Sequence, residues 1–568
     1  MDANFSPTIS VVGPTPVVWD HLPFSWRREA PRLLLVMFLA LLVRSWVVGH
    51  TEVTARDSIG FIRYALHLDE PPLADDPADP ARHFTREEVL KRSLHPPGYP
   101  AAIAAMSYPV RAAMGGTTEN SMVLSAQLVS VFAAVLLVIP LYFFARHLTD
   151  PSSAWIATGM FALLPAFVQI SSDGLSDSLY LLMVCSATLA VVCALKYPSG
   201  WRFLLAGALC GGAYLVRPEG LLPFGVAVLV LIGIEVVATL PGTGAMRKIP
   251  ALCLGLVLVA GPYMFTIGRL TNKTTGNDLI QMLKGERDKP SWQPRVGPGS
   301  AGVSRLPVAE LPLGVWWSDT WQEGSSKALW ASTSLIGEMM RESMWIVVPL
   351  GLFGLWRRRR EFQDNASFSF LTLLMIAQTG LLWYMAYKVG YVAGRHTILV
   401  VMLLMPFAAQ SIVGIAERMS ANRTGLKRRF GPEPAAIVAF VAVLAICLPP
   451  DFRSLHTNRA GHHAAGLWLK DNMQPGDLIW DPFCWAEFYA GQSMRTEPNP
   501  NIHAAPVYVV LEPGNALHSR LPKIPLGESI AGLGEPVWHW PTANAIDRAK
   551  VVVYRTQSVP APPPWEKH

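Results

Sequence analysis

Long apolar runs separated by short polar connections are the main pattern along this chain. A helix that crosses the hydrocarbon core of a bilayer needs roughly 20 residues, with a lower limit near 17. We predict transmembrane helices at about residues 32–49, 122–145, 154–171, 178–195, 203–216, 219–240, 250–268, 343–356, 367–387, 397–416 and 434–449. Residues 101–114 are also apolar, but they are short and flanked by proline, so we do not count them. The pattern predicts an α-helical polytopic membrane protein with about eleven transmembrane helices.

The basic residues cluster in short connections, and the alternation of the predicted helices places every strong cluster on one side. These residues are Arg27, Arg28, Arg32, Arg146, Lys196, Arg202, Arg247, Lys248, Arg357 to Arg360, Arg418, Arg423 and Lys427 to Arg429. Short basic loops remain in the cytoplasm. We therefore expect a multi-pass protein of the inner (plasma) membrane, with its N-terminus in the cytoplasm and its C-terminus outside.

The opposite side carries the long connections. Residues 1–449 would form a transmembrane domain with outer loops at 50–121 and 269–342, and residues 450–568 a soluble extracytoplasmic domain. This tail combines a helix-like stretch, His462 to Asp471, with strand-like runs such as Tyr508 to Leu511 and Val551 to Tyr554. We predict a small α/β domain there.

Composition agrees with a membrane protein and excludes other classes. Hydrophobic residues make up 51% of the chain and charged residues only 15%, whereas soluble domains have roughly 25% charged residues. The net charge of +6 arises from the short basic connections, so we expect membrane lipids and no nucleic acid as partners. Five of the six cysteines fall inside apolar runs, and neither a disulfide framework nor a Cys/His metal-binding spacing is visible.

Carboxylates follow the membrane boundary at two outer positions. Asp57 lies just after the first predicted span, within Arg56 to Tyr64, and Asp173 and Asp177 lie between the third and fourth spans. A spacing of four residues would place both of these carboxylates on one face of a helix. Solvated loop charges or helix capping would also explain all three residues.

Arginines occur at the same outer level. Arg217 begins the sequence Arg217-Pro-Glu219-Gly220, where it could pair with Glu219 or bind a phosphate, because a guanidinium matches phosphate oxygens. Arg395 precedes an apolar run directly and again suggests a bound anion. Snorkelling to the membrane interface is an adequate explanation for Lys388, and His95 could be purely structural.

Together these segments resemble the C-type glycosyltransferase superfamily, and most of all the bacterial family 39-like enzymes. The residues that carry the resemblance are Arg56-Asp57 with Tyr64-Ala65, His95-Pro-Pro-Gly-Tyr99-Pro100, Asp173 through Asp177, Arg217-Pro-Glu219-Gly220, Arg395, and in the tail Ala465 to Leu469 with Gly476-Asp477. Relatives of this group include protein O-mannosyltransferases and lipid A aminoarabinose transferases. In many relatives two acidic residues are adjacent in the first motif, whereas Ser58 follows Asp57 here.

The resemblance implies transfer of a sugar from a polyprenyl-phosphate donor to a lipid, glycan or protein acceptor on the outer face, with inversion. In that scheme Asp57 is the general base, and a cleft of low dielectric would raise its pKa. Arg217 and Arg395 would hold the departing phosphate. Asp173 or Asp177 would orient the acceptor or, with Asp57, bind a divalent cation such as Mg or Mn; no metal ligand is assigned.

The wider set that the resemblance assigns to substrate and lipid-phosphate binding is Arg56, Arg63, Tyr64, His95, Tyr99, Arg217, Glu219, Lys388, Arg395 and His396. A transporter or flippase of lipid-linked sugar is the main alternative. It would normally need polar or broken helices near the middle of the bilayer, where the predicted spans contain almost no ionisable residue. The sequence therefore favours transfer over transport.

Overall fold

The computed structural model of the protein describes residues 26–72, 83–237, 245–273, 321, 326–421, 433–474, 477–492, 506–513, 531–532, 534–543 and 545–556. Most of the second outer loop, the basic residues between Arg423 and Arg429, and Gly476 lie outside these ranges. The described helices are α1 (Glu29–Gly49), α2 (Arg56–Asp69), α3 (Arg86–Arg92), α4 (Gly98–Met114), α5 (Glu119–Leu148), α6 (Pro151–Leu163), α7 (Pro165–Ser172), α8 (Asp177–Lys196), α9 (Gly200–Val216), α10 (Leu222–Val237), α11 (Ile249–Ile267), α12 (Lys327–Glu342), α13 (Val347–Arg357), α14 (Glu361–Asp364), α15 (Ala366–Val389), α16 (Gly394–Ala421), α17 (Glu433–Asp451), α18 (Ala460–Asn472) and α19 (Trp485–Tyr489).

Apolar helices of membrane-spanning length dominate the described part of the chain. Seven of them are long and apolar enough to cross a membrane, namely α1, α5, α8, α10 with the turn before it, α11, α15 and α16. The pair α6 and α7 is a further candidate, and α9, α13 and the later part of α17 are shorter apolar helices. The described part of each predicted run falls on these helices, which confirms the helical polytopic fold. The number of spans stays a prediction.

One predicted span, residues 154–171, is two helices rather than one. Pro165 has no N–H and disfavours the helical conformation of the residue before it. Leu164 is accordingly extended (φ −72°, ψ 124°), and α6 and α7 meet at an angle of 53°. The wholly buried Arg44 of α1 lies at this break, where its Nη1 donates to the carbonyl of Ala162 (2.9 Å) and its Nε to Ser171 Oγ (2.6 Å). These hydrogen bonds satisfy polar groups that would otherwise be costly in the membrane domain.

Glycines let two of the helices approach closely. A Cβ added to Gly207 of α9 would lie 1.9 Å from the carbonyl oxygen of Leu252, and one added to Gly255 of α11 would lie 2.0 Å from that of Leu204. Small residues at such interfaces are typical of helix packing in membranes, where close van der Waals contact replaces the hydrophobic effect. The pair α9–α11 supports the turn that carries Arg217.

The described part of the first outer loop is helical. α2 begins directly after the extended residue Ala55, and α3 begins with a capping box between Thr85 and Glu88. The apolar residues 101–114, which we did not count as a span, form most of α4.

The tail has the predicted small α/β structure. In the described part of the tail, four strands, β1 (Leu478–Trp480), β2 (Val507–Leu511), β3 (Glu535–Trp540) and β4 (Val551–Thr556), form one sheet in the order β1-β2-β4-β3. β1 is parallel to β2, and the other two pairs are antiparallel. α18 covers one face through Ala465 and Leu469, which pack with buried residues of β2 and β4. The proposed domain boundary near residue 450 stays a prediction.

Candidate functional site

Asp57 and Arg395 form an ion pair between the first turns of two helices. Asp57 lies at the start of α2 and Arg395 at the start of α16, with Oδ2 and Nη2 2.6 Å apart. The Asp57 side chain is 49% exposed and that of Arg395 30%. A carboxylate is thus held at a helix end with about half of its surface exposed, where a substrate can reach it.

The ion pair sets the pKa of Asp57. Burial would raise this pKa, but the charge and the hydrogen bond of Arg395, together with the charge of Arg217, lower it below the ordinary value of 3.8. The expectation that the cleft raises the pKa is therefore wrong for this arrangement. As long as Arg395 faces Asp57, its charge and hydrogen bond lower the pKa of Asp57 by more than desolvation raises it.

A second ion pair lies next to the first. Arg217, directly after α9, donates from Nη1 to Oδ1 of Asp177, the first residue of α8. The Asp177 side chain is only 2% exposed, and the guanidinium of Arg217 lies 5.5 Å from the ring centroid of Tyr180. Glu219, two residues further along, pairs instead with Lys273, with Oε1 and Nζ 3.2 Å apart.

These charged residues border a cleft that runs into the membrane domain. Its cavity volume is about 30 Å³, or about 440 Å³ when all space between the lining atoms and the part that is open to solvent are included. Its described lining is Asp177, Tyr180, Arg217, Glu219, Gln378, Leu381, Leu382, Met385, Arg395, His396, Ile398 and Leu399. Five of the predicted site residues, Asp177, Arg217, Glu219, Arg395 and His396, thus line one space, and Asp57 contacts its edge through Arg395.

His95 belongs to this charge cluster, whereas Tyr99 does not. The ring of His95 packs against Phe61, with centroids 5.0 Å apart, and desolvation with the charges of Lys273 and Arg217 lowers the pKa of His95 to about 4. Tyr99 is wholly buried and donates its hydroxyl to the carbonyl of Ala126. Its contacts are those of a core residue, contrary to the predicted contact with substrate.

Asp173 has a different environment from Asp177, so the predicted shared helical face is wrong. Asp173 follows α7 directly in an extended conformation, and its Oδ1 accepts from the backbone N–H of Ala55 (2.9 Å). Its Oδ2 lies 2.7 Å from Nε2 of His456. Since Ala55 is the residue before α2, Asp173 fixes the start of the helix that carries Asp57.

The basic residues of α2 face the tail. Arg56 donates to the carbonyl of Pro482 (3.3 Å), and Arg63 pairs with Glu487 (2.8 Å). Both contacts differ from the predicted phosphate binding.

The two remaining predicted residues lie away from the described cleft lining. Tyr64 is buried in the core, with 7% of its surface exposed. The Lys388 ammonium lies 5.9 Å from the ring centroid of Tyr384, at the exposed end of α15.

A divalent cation between the predicted carboxylates would require contacts to open. Asp57 and Asp177 are each paired with an arginine, and Asp173 faces His456. Among the described residues, no group of three His, Cys, Asp or Glu side chains has the geometry of a metal site. In this arrangement the donor set does not fit Mg²⁺ or Mn²⁺, which prefer several free oxygen ligands, and we derive no step through a metal ion.

Two polar residues of the described cleft lining, Tyr180 and Gln378, were not predicted as site residues, and neither was Lys273, the partner of Glu219. Lys273 follows α11, where a lysine is easily interpreted as a snorkelling side chain. Tyr180 and Gln378 lie inside apolar helices. Gln378 was overlooked because only ionisable residues were considered within the spans, although an uncharged amide at membrane depth is also a functional signal.

Comparisons with known proteins bear on the fold. Residues 95–265 match the model of the dolichyl-phosphate-mannose-protein mannosyltransferase family. The apo structure of ArnT from Cupriavidus metallidurans superposes with a TM-score of 0.55 at 12% identity, covering 93% of this chain and 98% of that chain. The chain has the C-type glycosyltransferase fold. This confirms the resemblance predicted from the short motifs.

Two further structures share this C-type glycosyltransferase fold. ArnT bound to undecaprenyl phosphate gives a TM-score of 0.52 at 12% identity and covers 94% of this chain and 99% of that chain. The Archaeoglobus fulgidus oligosaccharyltransferase tethered with an acceptor peptide gives 0.50 at 12% identity, with 94% and 75% covered. In other structures of archaeal oligosaccharyltransferase the match spans only 61% of that chain's length. No match was found among curated proteins.

Proposed function

We propose that this protein transfers a sugar from a polyprenyl-phosphate donor to an acceptor at the outer face of the membrane. The observation that carries the proposal is the half-exposed Asp57 beside Arg395 and the cleft that Arg217 lines. A base for the acceptor and two cations for the leaving phosphate thus lie within one cluster. The family match over residues 95–265 supports the same reaction class.

The donor phosphate would activate Asp57 by competing for Arg395. Guanidinium groups bind phosphate oxygens strongly, so a phosphate at Arg395 would weaken the ion pair that lowers the pKa of Asp57. The carboxylate, relieved of this charge, becomes a better proton acceptor. Binding of the donor is thereby coupled to formation of the base.

The reaction is a single displacement at the anomeric carbon. The acceptor hydroxyl oxygen bonds to this carbon as its proton passes to Asp57, and the bond from the carbon to the phosphate oxygen breaks. The electron pair leaves with polyprenyl phosphate, whose charge Arg217 and Arg395 stabilise. Attack opposite the leaving group inverts the anomeric configuration.

The substrates that we propose are a lipid-linked sugar and a lipid, glycan or protein acceptor. Of the proteins with this fold, ArnT binds undecaprenyl phosphate and the archaeal oligosaccharyltransferase has been tethered to an acceptor peptide. Both observations concern those proteins and support the chemical class here.

We also propose that the cleft faces outward from the inner membrane. Asp57, Asp177 and Arg395 are at helix ends on the side of the tail, whereas the pair Glu29–Arg146 joins the start of α1 to the end of α5. The described basic connections lie on the same side as this Glu29–Arg146 pair. Under the positive-inside rule, this arrangement supports a cytoplasmic N-terminus and an extracytoplasmic tail.

Transfer and transport can be separated in proteoliposomes. Purified protein would be reconstituted with polyprenyl phosphate that carries a radiolabelled sugar, together with an envelope extract as the source of acceptor. We expect label to leave the donor and appear in a new glycosylated product. Movement of intact donor between leaflets without any new product would instead establish the flippase and overturn the proposal.

A further inference from the structure

The cleft wall contains buried polar atoms without hydrogen-bond partners among the described residues. These atoms are the hydroxyl of Tyr180, Oε2 of Glu219 and Oε1 of Gln378. Tyr180 is 5% exposed and Gln378 4%. Buried polar groups are nearly always paired in folded proteins, so three unpaired atoms around one space indicate a polar ligand.

The position of Gln378 shows how far this polar wall extends. Gln378, Leu381, Leu382 and Met385 share one face of α15, because their spacing follows the helical period. Gln378 precedes Val389, the last residue of α15, by about 16 Å along the axis at 1.5 Å per residue. The cleft thus runs from the arginines at the outer level down to an amide within the membrane domain.

The lining combines hydrogen-bonding groups with an apolar surface. Leu381, Leu382, Ile398 and Leu399 supply the apolar part. A sugar ring has hydroxyl groups around its edge and C–H groups on its faces, so it matches both. A polyprenyl chain would cover the apolar residues but leave the three polar atoms unpaired, which is unfavourable.

We propose that this cleft is the subsite for the sugar of the donor, with its hydroxyls bound by Tyr180, Glu219 and Gln378. Glu219 and Gln378 accept hydrogen bonds from sugar hydroxyls, and the Tyr180 hydroxyl donates or accepts. Arg217 and Arg395 line the same space and would bind the phosphate of the donor. This inference rests on the proposed function and assigns its sugar-recognising residues.

The test compares lipids with and without a sugar. Tyr180→Phe removes only an unpaired hydroxyl, and Gln378→Leu removes the amide at similar size. The control is Tyr263→Phe, because the Tyr263 hydroxyl is also buried without a described partner but is not part of the cleft lining. Affinities of the purified variants would be measured for bare polyprenyl phosphate and for polyprenyl phosphate carrying mannose, glucose or arabinose, and thermal unfolding would verify the fold of each variant.

We expect both cleft variants to bind at least one sugar-bearing lipid about tenfold more weakly than wild type, because each loses a buried hydrogen bond to the ligand. Binding of bare polyprenyl phosphate, and all binding by Tyr263→Phe, should be unchanged. Equal weakening for lipids with and without sugar would overturn the subsite, as would no weakening at all. If wild type transfers sugar while the cleft variants bind like wild type, only the subsite fails; if wild type transfers none, the proposed function fails.

Discussion

Asp57 and Arg395 illustrate how a single contact determines chemistry at the scale of the residue. The sequence places both residues at the outer boundary, and their roles were predicted from the resemblance. Their direct pairing was not predictable, since 338 positions separate them in the chain and motif order contains no distances. The pairing matters because it lowers the pKa of the proposed base until a competing anion binds.

Asp173 shows the limit of sequence reasoning at this scale. Its spacing from Asp177 suggested a common helical face, but the chain is extended at Asp173. Its partner His456 lies 283 positions away, beyond α17. The local pattern could not reveal a contact with the start of the tail.

His95 gives a testable pH dependence. Its pKa falls from 6.5 to about 4 on folding, owing to desolvation and the charges of Lys273 and Arg217. Between these pH values the unfolded state binds more protons at this position, so His95 makes the protein less stable as the pH falls from 6.5 towards 4.

The measurement for His95 is the melting temperature of wild type and His95→Asn between pH 7.5 and about 4.5, since the unperturbed pKa lies in this range. Folding also lowers the pKa of His67 and His463, so the His95→Asn variant should still lose some stability in acid through these groups. We expect a smaller loss in the variant. Parallel melting curves for the two proteins would contradict the assignment of the shift to His95.

At the scale of secondary-structure elements, apolar run length predicted the helices well because a membrane span requires about 20 apolar residues. It did not predict the break at Leu164, since proline is tolerated within spans and an apolar run around Pro165 looks continuous. The turns between spans were recognised as polar, but their close packing depends on contacts from other parts of the chain.

Gly220 tests whether the turn that carries Arg217 and Glu219 must pack closely. An added Cβ would lie 2.3 Å from the carbonyl carbon of Ala213 and 2.4 Å from the nitrogen of Tyr214, and backbone atoms cannot move aside cheaply. We expect Gly220→Ala to cost about 1–3 kcal/mol of stability and to reduce sugar transfer by displacing Arg217.

The matched control is Gly225→Ala in α10. No atom lies within 4 Å of its added Cβ, so this variant should keep the wild-type melting temperature and transfer rate. Thermal unfolding and transfer would be measured for both variants. Wild-type behaviour of Gly220→Ala would show that the turn is not tightly packed.

At the scale of the whole molecule, the tail contacts the helix that carries the proposed base. The indole of Trp485 donates to the carbonyl of Thr54 (2.8 Å), the hydroxyl of Tyr489 accepts from the N–H of Thr54 (3.0 Å), and Glu487 pairs with Arg63. The sequence predicted an α/β tail but not its place, because the docking residues are separated from α2 by more than 400 positions.

A charge exchange tests this docking. Arg63 and Glu487 are about one-third exposed, and pairs of this kind contribute roughly 0.2–1 kcal/mol. Arg63→Glu and Glu487→Arg should each lower the melting temperature, because each places like charges together. The double variant should recover most of the loss. Additive losses in the double variant would show that the two side chains do not meet.

The central claim is that Asp57 is the base for sugar transfer at the outer face, and transfer by Asp57→Asn tests it most directly. Asp69→Asn is the control, since Asp69 lies on the same helix but pairs with Arg111 at 2.8 Å. Purified wild type and both variants would receive labelled polyprenyl-phosphate sugar and acceptor, with donor binding measured separately. We predict that Asp57→Asn transfers sugar at least about a hundredfold more slowly than wild type. This variant should bind the donor as tightly as wild type, or more tightly, because Arg395 is freed. Asp69→Asn should transfer sugar at a near-normal rate, and the product should have the inverted anomeric configuration. Transfer by Asp57→Asn at the wild-type rate, or a product with retained configuration, would contradict the account.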